Sequence, residues 1–195
     1  MLVFQNATLL GYMLVCSFTP GPGNILALNT TSRYGWKKSL RLVLGICIGY
    51  ALVQLLCTIA LYELNSVFSA VLKILKYVGS VYMIWLAIHM MRSKPETSCD
   101  DKLPTFREGM LLQLVNVKIY FYIMTLLSVY FIPNLHTASG LLFAGTVAVG
   151  IGSAASVIWA VLGAGLQELY QKHYRFINIV LGFFLIYCAW TMIRG

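Results

Sequence analysis

Lys118 and Asn116 stand two residues apart inside an otherwise apolar run, residues 109–132. No carboxylate lies at a comparable depth in any other apolar run; Glu63 and Glu168 sit at run ends. A lysine so placed is either neutral or paired with an anion supplied from outside, and a ligand carboxylate is the natural anion. Asn116 adds side-chain hydrogen bonds beside it. The second chemical cluster, Thr19-Pro20-Gly21-Pro22-Gly23-Asn24, interrupts the first apolar run. Pro20 and Pro22 have no amide hydrogen, so the carbonyls of Cys16 and Phe18 lose their helical partners. Gly21 and Gly23 allow backbone geometries and close approaches that other residues resist. A new helix starting near Asn24 would present unsatisfied amides and a positive dipole end. Free carbonyls suit an ammonium and a helix N-terminus suits a carboxylate, the two groups of an amino acid. The expected binding residues are therefore Pro20, Gly21, Pro22, Asn24, Asn116 and Lys118, while Arg33 and Lys37 are expected to set orientation and to help collect the ligand.

The elements that carry these residues follow from composition. The chain is 59% hydrophobic and 10% charged, with mean hydropathy +0.80, whereas soluble domains carry about 25% charged residues. That balance implies an all-α integral membrane protein in a lipid bilayer. A helix needs about 20 apolar residues to cross the hydrocarbon core, and by that length six spans are expected: 9–28, 42–62, 72–91, 109–132, 140–163 and 176–193. Lys118, about 14 Å beyond Gly109, then falls near mid-membrane. The Pro-Gly cluster also falls inside a span, where broken backbone survives only if protein buries it or it lines a wet cavity.

Arg33, Lys37, Lys38, Arg41, Arg92, Lys94, Lys102, Arg107, Lys172 and Arg175 fall on one side of these spans, and Lys73, Lys76 and Arg194 on the other. The excess marks the cytoplasmic side and places both termini in the periplasm. The whole chain, 1–195, reads as one transmembrane domain. Its one plausible linker, 92–108, divides the spans three plus three, and halves with an odd number of spans insert with opposite topology. Gly140, Ala144, Ala148, Gly152, Ser156, Ala160 and Ala164 recur every fourth residue. Such a row favours close helix packing, within the subunit or across a homodimer. Cys16, Cys47, Cys57 and Cys188 read as small packing residues, and Trp36, Trp85 and Trp190 as interfacial anchors. Tyr120, Tyr122, Gln54, Asn178 and Tyr187 are weaker polar candidates.

Other classes fit poorly. The basic residues cluster between apolar runs, as loops facing anionic lipid do, so nucleic acid is not an expected partner. Neither a metal-ligand spacing nor a nucleotide motif is present, and no cofactor is expected. No paired carboxylates or Ser/His pair share one depth, which argues against an enzyme. A non-transporting assembly subunit would explain the small-residue row but not Lys118. The N-terminus lacks a basic region and a small-residue cleavage site, so the first run is expected to be a retained helix.

The stretch from Thr19 to Leu28 resembles the signature of the LysE/RhtB superfamily of bacterial amino-acid exporters. So do Arg33-Tyr34-Gly35-Trp36-Lys37-Lys38-Ser39 with Gly45 and Gly49, the stretch from Leu75 to Tyr82, and Asn116-Val117-Lys118. The resemblance covers essentially the whole chain. It implies six helices with the two interruptions facing a central substrate path, in the inner membrane. It also implies export of amino acids, coupling to protons through the proton motive force, and often a homodimer. Most members have Asn-Pro-Lys where Val117 intervenes here. The stretches from Leu112 to Ile119, Asn178 to Leu181 and Tyr187 to Ala189 look most like the branch exporting cysteine and O-acetylserine. That branch has asparagine where Gly23 stands. The expected cargo is thus a small neutral amino acid, with threonine, homoserine, homoserine lactone or basic amino acids as alternatives.

Overall fold

The computed structural model describes residues 2–63, 65–92, 105–131 and 138–194. All regular structure among them is helical: α1 (Leu2–Phe18), α2 (Pro22–Tyr34), α3 (Trp36–Glu63), α4 (Asn65–Arg92), α5 (Phe106–Leu114), α6 (Val117–Thr125), α7 (Ala138–Gly165) and α8 (Gln167–Arg194). A π-helical stretch, Leu126–Phe131, extends α6. Most of the expected 92–108 linker lies outside the described residues.

The two expected interruptions are real breaks. Gly21 is fully extended (φ −149°, ψ 172°) and Pro22 opens α2, in the position proline favours because its missing amide costs nothing there. The second break falls at Val115 and Asn116, the latter with φ −83° and ψ 89°. Val117 occupies the first turn of α6, so this break needs no proline. At the far end of α2, Gly35 takes φ +77° and its amide donates to Thr31 O at 2.9 Å. That backbone region is essentially closed to residues with a Cβ. At the outer end of α5 a capping box forms, with Glu108 N donating to Thr105 Oγ1 and Thr105 N to Glu108 Oε2.

Among the described residues three helices are long and apolar enough to cross a membrane: Trp36–Ala60, Ser139–Gly165 and Gln167–Thr191. The pair α5–α6, bent by 57° at its break, makes a fourth span if taken as one. The last helix differs from expectation. Residues 167–175, read as a loop, are helical, and α8 is bent where His173 leaves helical geometry (φ −126°, ψ 25°). Charge density made that stretch look like a loop, but Tyr170 is fully buried and its hydroxyl donates to Asn178 Oδ1 at 3.1 Å. Outward faces carry exposed apolar side chains such as Phe143 and Phe183, as a lipid-facing surface requires.

α2 is the central element, with every residue from Pro22 to Ser32 buried. Its largest neighbour is α7, while α3 packs on α5 and α4 on α8. Backbone contact is close enough to demand glycine. A Cβ on Gly45 would lie 2.0 Å from Phe106 O, one on Gly109 2.3 Å from Leu42 O, and one on Gly163 2.3 Å from Leu28 O. The middle of the small-residue row of α7 is spent inside the subunit, while Gly140, Ala144 and Ala164 at its ends are half-buried. Ala148 and Ala160 are fully buried, and Gly152 abuts the Tyr50 ring. Two apolar clusters flank the breaks. One joins Met13, Tyr50, Ile123 and Ala148; the other joins Ile25, Leu42, Ile46, Leu86, Leu112 and Leu185.

Candidate functional site

The two breaks meet. Lys118, at the start of α6, reaches across to the first break, where its Nζ donates to Thr19 O at 2.9 Å. Gly21 makes room for it, since a Cβ there would lie 3.0 Å from Nζ and 3.2 Å from Lys118 Cδ. The extended φ of Gly21 suits any residue, so close approach and not backbone freedom explains this glycine. Gly23 plays the same part for Gln113, whose Oε1 would lie 2.8 Å from a Cβ at residue 23.

The carbonyls released by the first break are occupied by side chains. Asn24 Nδ2 donates to Ser17 O at 2.9 Å, Trp159 Nε1 to Phe18 O at 3.2 Å, and Lys118 Nζ to Thr19 O. The hydroxyl of Thr19 turns back to Val15 O. The expected receiver of a ligand ammonium therefore already holds an ammonium, that of Lys118. Asn24 in turn accepts from Ser156 Oγ of α7 at 3.0 Å, so α1, α2 and α7 are joined through one amide. At the second break Tyr120 OH donates to Leu114 O at 3.1 Å, and Asn116 Nδ2 to Gln113 Oε1 at 3.2 Å.

Between the breaks lies a cavity of about 30 Å³ lined by Gly21, Gly23, Asn24, Gln113, Asn116 and Lys118 together with Ser17, Tyr50, Tyr122 and Ser156. That is room for about one water molecule. Two features of its wall are unusual. Asn116 Oδ1 is buried with no hydrogen-bond partner among the described residues, and such atoms ordinarily find a water or a ligand. Both α2 and α6 also start here without a side-chain cap, whereas α5 starts elsewhere with a complete capping box. Uncapped first-turn amides and the dipole favour an anion at each of these starts. On the other flank of Lys118 is a roomier cavity of about 260 Å³, lined by Pro22, Met83, Asn116, Lys118, Phe121, Cys188 and Thr191.

Of the residues expected to bind, Gly21, Asn24, Asn116 and Lys118 line the smaller cavity, and Pro22 lines the larger. Pro20 lines neither; it shapes the break. Arg33 and Lys37 are remote from both. Several wall residues escaped sequence reasoning. Ser156 was hidden in the small-residue row, where it is the one member with a hydroxyl, and Gly152 beside it lines the cavity too. Tyr50 and Ser17 carried no spacing signal, nor did Trp159, which lines neither cavity but donates to Phe18 O. Cys16 and Cys188, read as packing residues, each line a cavity, while Cys57 is fully buried. Among the weaker candidates Tyr122 lines the site, Tyr120 braces the break, and Asn178 belongs to a separate buried network with Asn29 and Tyr170.

The profile of the LysE type translocator family matches residues 14–195. Cysteine/O-acetylserine efflux proteins of Escherichia coli O1:K1 / APEC and Escherichia coli strain K12 are each 35% identical to the chain over 179 residues, covering 91% of it and 92% of the relative. The protein of the same description from Shigella flexneri serotype 5b matches equally. No solved structure matches the chain.

Proposed function

The chain belongs to the LysE type translocator family, and we propose that it exports small neutral amino acids or their derivatives, cysteine and O-acetylserine foremost, from cytoplasm to periplasm. The observation that carries the reading is the convergence of Lys118, two uncapped helix starts and the unpartnered Asn116 Oδ1 on one cavity. In this reading Lys118 and the amides of α2 and α6 receive the substrate carboxylate. Pro20, Gly21, Pro22 and Asn24 shape the opposite wall. When Lys118 turns to the carboxylate it releases Thr19 O, which becomes an acceptor for the substrate ammonium, so that substrate replaces an internal contact group for group. A cavity with room for one water cannot hold an amino acid, so the occupied state has to be wider than this one.

The same reading takes α1–α2 and α5–α6 as one broken span each. With α3, α7 and α8, and with α4 counted as a further span, that gives six spans in two inverted halves of three, both termini in the periplasm, and an inner-membrane location. No nucleotide motif supplies energy, and proton coupling through the proton motive force is the drive that the family resemblance implies. A homodimer would have to use a face other than the middle of the small-residue row of α7, since Ala148, Gly152, Ser156 and Ala160 are buried within the subunit. The reading makes the protein a carrier and not an enzyme.

Export from cells overexpressing the protein tests it, with cysteine, O-acetylserine, threonine, homoserine and lysine measured side by side. Selective loss of intracellular cysteine and O-acetylserine, abolished in Lys118→Ala, is the expected result. Preferential lysine export would refute the neutral-substrate reading. Wild-type export by Lys118→Ala would remove Lys118 from the mechanism.

A further inference from the structure

A third cavity, of about 270 Å³, opens between α2, α3, α4 and α5 on the face that carries Arg33 and the start of α5. It holds the volume of roughly nine waters, enough for a small amino acid, where the cavity between the breaks holds one. Its charged lining is Arg33 from α2 and Glu108 from α5, with His89 and Tyr82 from α4 and Tyr34 from α2 as further titratable groups and Asn29 and Thr30 beside Arg33. Both charged groups are held in place by local contacts. The Arg33 guanidinium lies 4.7 Å from the centre of the Tyr34 ring. Glu108 is anchored through Oε2 by the Thr105 amide at 2.8 Å. A carboxylate with one such bond retains acceptor capacity, and a guanidinium has five donors. The remaining wall is apolar and aromatic: Trp85, which stacks on His89 with ring centres 5.6 Å apart, together with Leu86 and Met90.

The position matters as much as the chemistry. α2 runs from Arg33 at this cavity to Gly23 and Asn24 at the breaks, roughly 14 Å away along the helix. α5 likewise runs from Glu108 to Gln113. The two cavities thus share two walls and are separated where Gln113 wedges between Gly23 and Gly49, its Cβ 2.8 Å from where a Cβ on Gly49 would lie.

We propose that this cavity is a separate loading site, in which Arg33 takes the carboxylate and Glu108 the ammonium of a small zwitterionic amino acid before it passes Gln113 to reach Lys118. The inference rests on the reading above that the chain exports amino acids and that the Arg33 face is cytoplasmic. An apolar wall beside one cationic and one anionic side chain suits a short uncharged side chain. A lysine or arginine substrate would bring its second cation against Trp85 and Met90.

Equilibrium binding of radiolabelled O-acetyl-L-serine to the purified full chain tests the loading site apart from the central one. Lys118→Ala should retain binding. In that background Arg33→Gln and Glu108→Gln should each weaken it at least tenfold, and Arg33→Lys less. Glutamine at residue 108 can still close the capping box, which keeps α5 intact. Lys37, Lys38 and Arg41 remain to set orientation in the Arg33 variants. In proteoliposomes the same two substitutions with Lys118 present should raise the half-saturating concentration on the Arg33 face about tenfold, with the maximal rate nearly unchanged. Loss of all binding in Lys118→Ala, or unchanged affinity in both vestibule variants, overturns the loading site while leaving export intact. Failure of the wild type to export any amino acid overturns the export reading, and the binding measurement still decides the vestibule.

Discussion

Replacing Gly45 by alanine puts a methyl group 2.0 Å from the Phe106 carbonyl oxygen, a distance no real Cβ contact shows. To reach even 3.0 Å, α5 has to retreat from α3 by about 1 Å, and interiors packed like crystals do not yield that freely. The obstacle is backbone, so no rotamer change relieves it. The reciprocal contact, Gly109 against Leu42 O, lies on the same crossing and blocks a compensating slide. Overpacking costs typically 1–3 kcal/mol, and this case belongs at the upper end. Alanine returns about 1 kcal/mol through its better helix propensity. The net loss is about 2 kcal/mol, or roughly 4–8 °C in the midpoint of a chain this size. Thermal unfolding of the detergent-purified protein, followed by intrinsic fluorescence, measures it. Gly150→Ala is the matched control, since no atom lies within 4 Å of a Cβ there, and its midpoint should hold or rise. The Gly45→Ala/Gly109→Ala pair should lose less than the sum of the singles, because one separation relieves both clashes. A Gly45→Ala midpoint equal to that of Gly150→Ala would refute the argument.

Gly23→Ala meets only the end of a flexible side chain, Gln113 Oε1 at 2.8 Å. Its midpoint should move by less than about 3 °C, while loss of the Gln113–Asn116 bond should change the ratio of cysteine to O-acetylserine export in a competition assay. Asn178→Leu removes the acceptor of both Asn29 Nδ2 and Tyr170 OH. It should cost about 2–4 kcal/mol, read as a lowered unfolding midpoint that Asn29→Leu partly restores. Ser156→Ala strips the donor from Asn24 Oδ1 and should cost about 1 kcal/mol of stability. Its export should fall as Asn24 loosens its hold on Ser17 O.

The breaks were legible because proline, glycine and an isolated lysine violate what lipid permits, and each violation names its own position. Their meeting was legible only as an inference from depth, since nothing local to residue 19 or residue 118 encodes a contact 99 positions apart. Hydroxyls and rings were harder. Ser156 sits in a row whose dominant meaning is packing, and both meanings hold at once, because the small residues that let α2 approach α7 also bring Ser156 to Asn24. The first part of α8 was misjudged for a related reason. Its charges are genuine, but Tyr170 is fully buried and its hydroxyl reaches across the bend at His173 to the Asn178 side chain, so the segment packs into the fold instead of looping out. The vestibule was only half legible: Arg33 was expected to help collect substrate, but Glu108 and His89 come from other helices and nothing in the sequence joins them to it.

Pro20 bears directly on how a cavity with room for one water would widen to take an amino acid, as the proposed function requires. α2 is locked to α7, and α3 to α5, by contacts that tolerate no Cβ. α1 and α6 make thinner contacts with their neighbours, so widening is cheapest if these two segments swing at the breaks. The first hinge exists because α1 stops at Phe18: the Thr19 amide still reaches Val15 O at 2.9 Å, while Pro20 has no amide to offer Cys16 O. Pro20→Ala supplies that amide. One further helical bond, worth about 1 kcal/mol, would then favour winding residue 20 onto α1 and turning Thr19 O toward the helix axis, away from Lys118 Nζ. Pro22 still prevents a continuous helix, so the fold survives. The expected variant therefore melts no lower than the wild type yet exports more slowly, because its hinge is stiffer and the Thr19 acceptor is misdirected. Reduced export at a lower midpoint would point to simple misfolding. Wild-type export at an unchanged midpoint would show that the break at Pro20 is not what lets the site open.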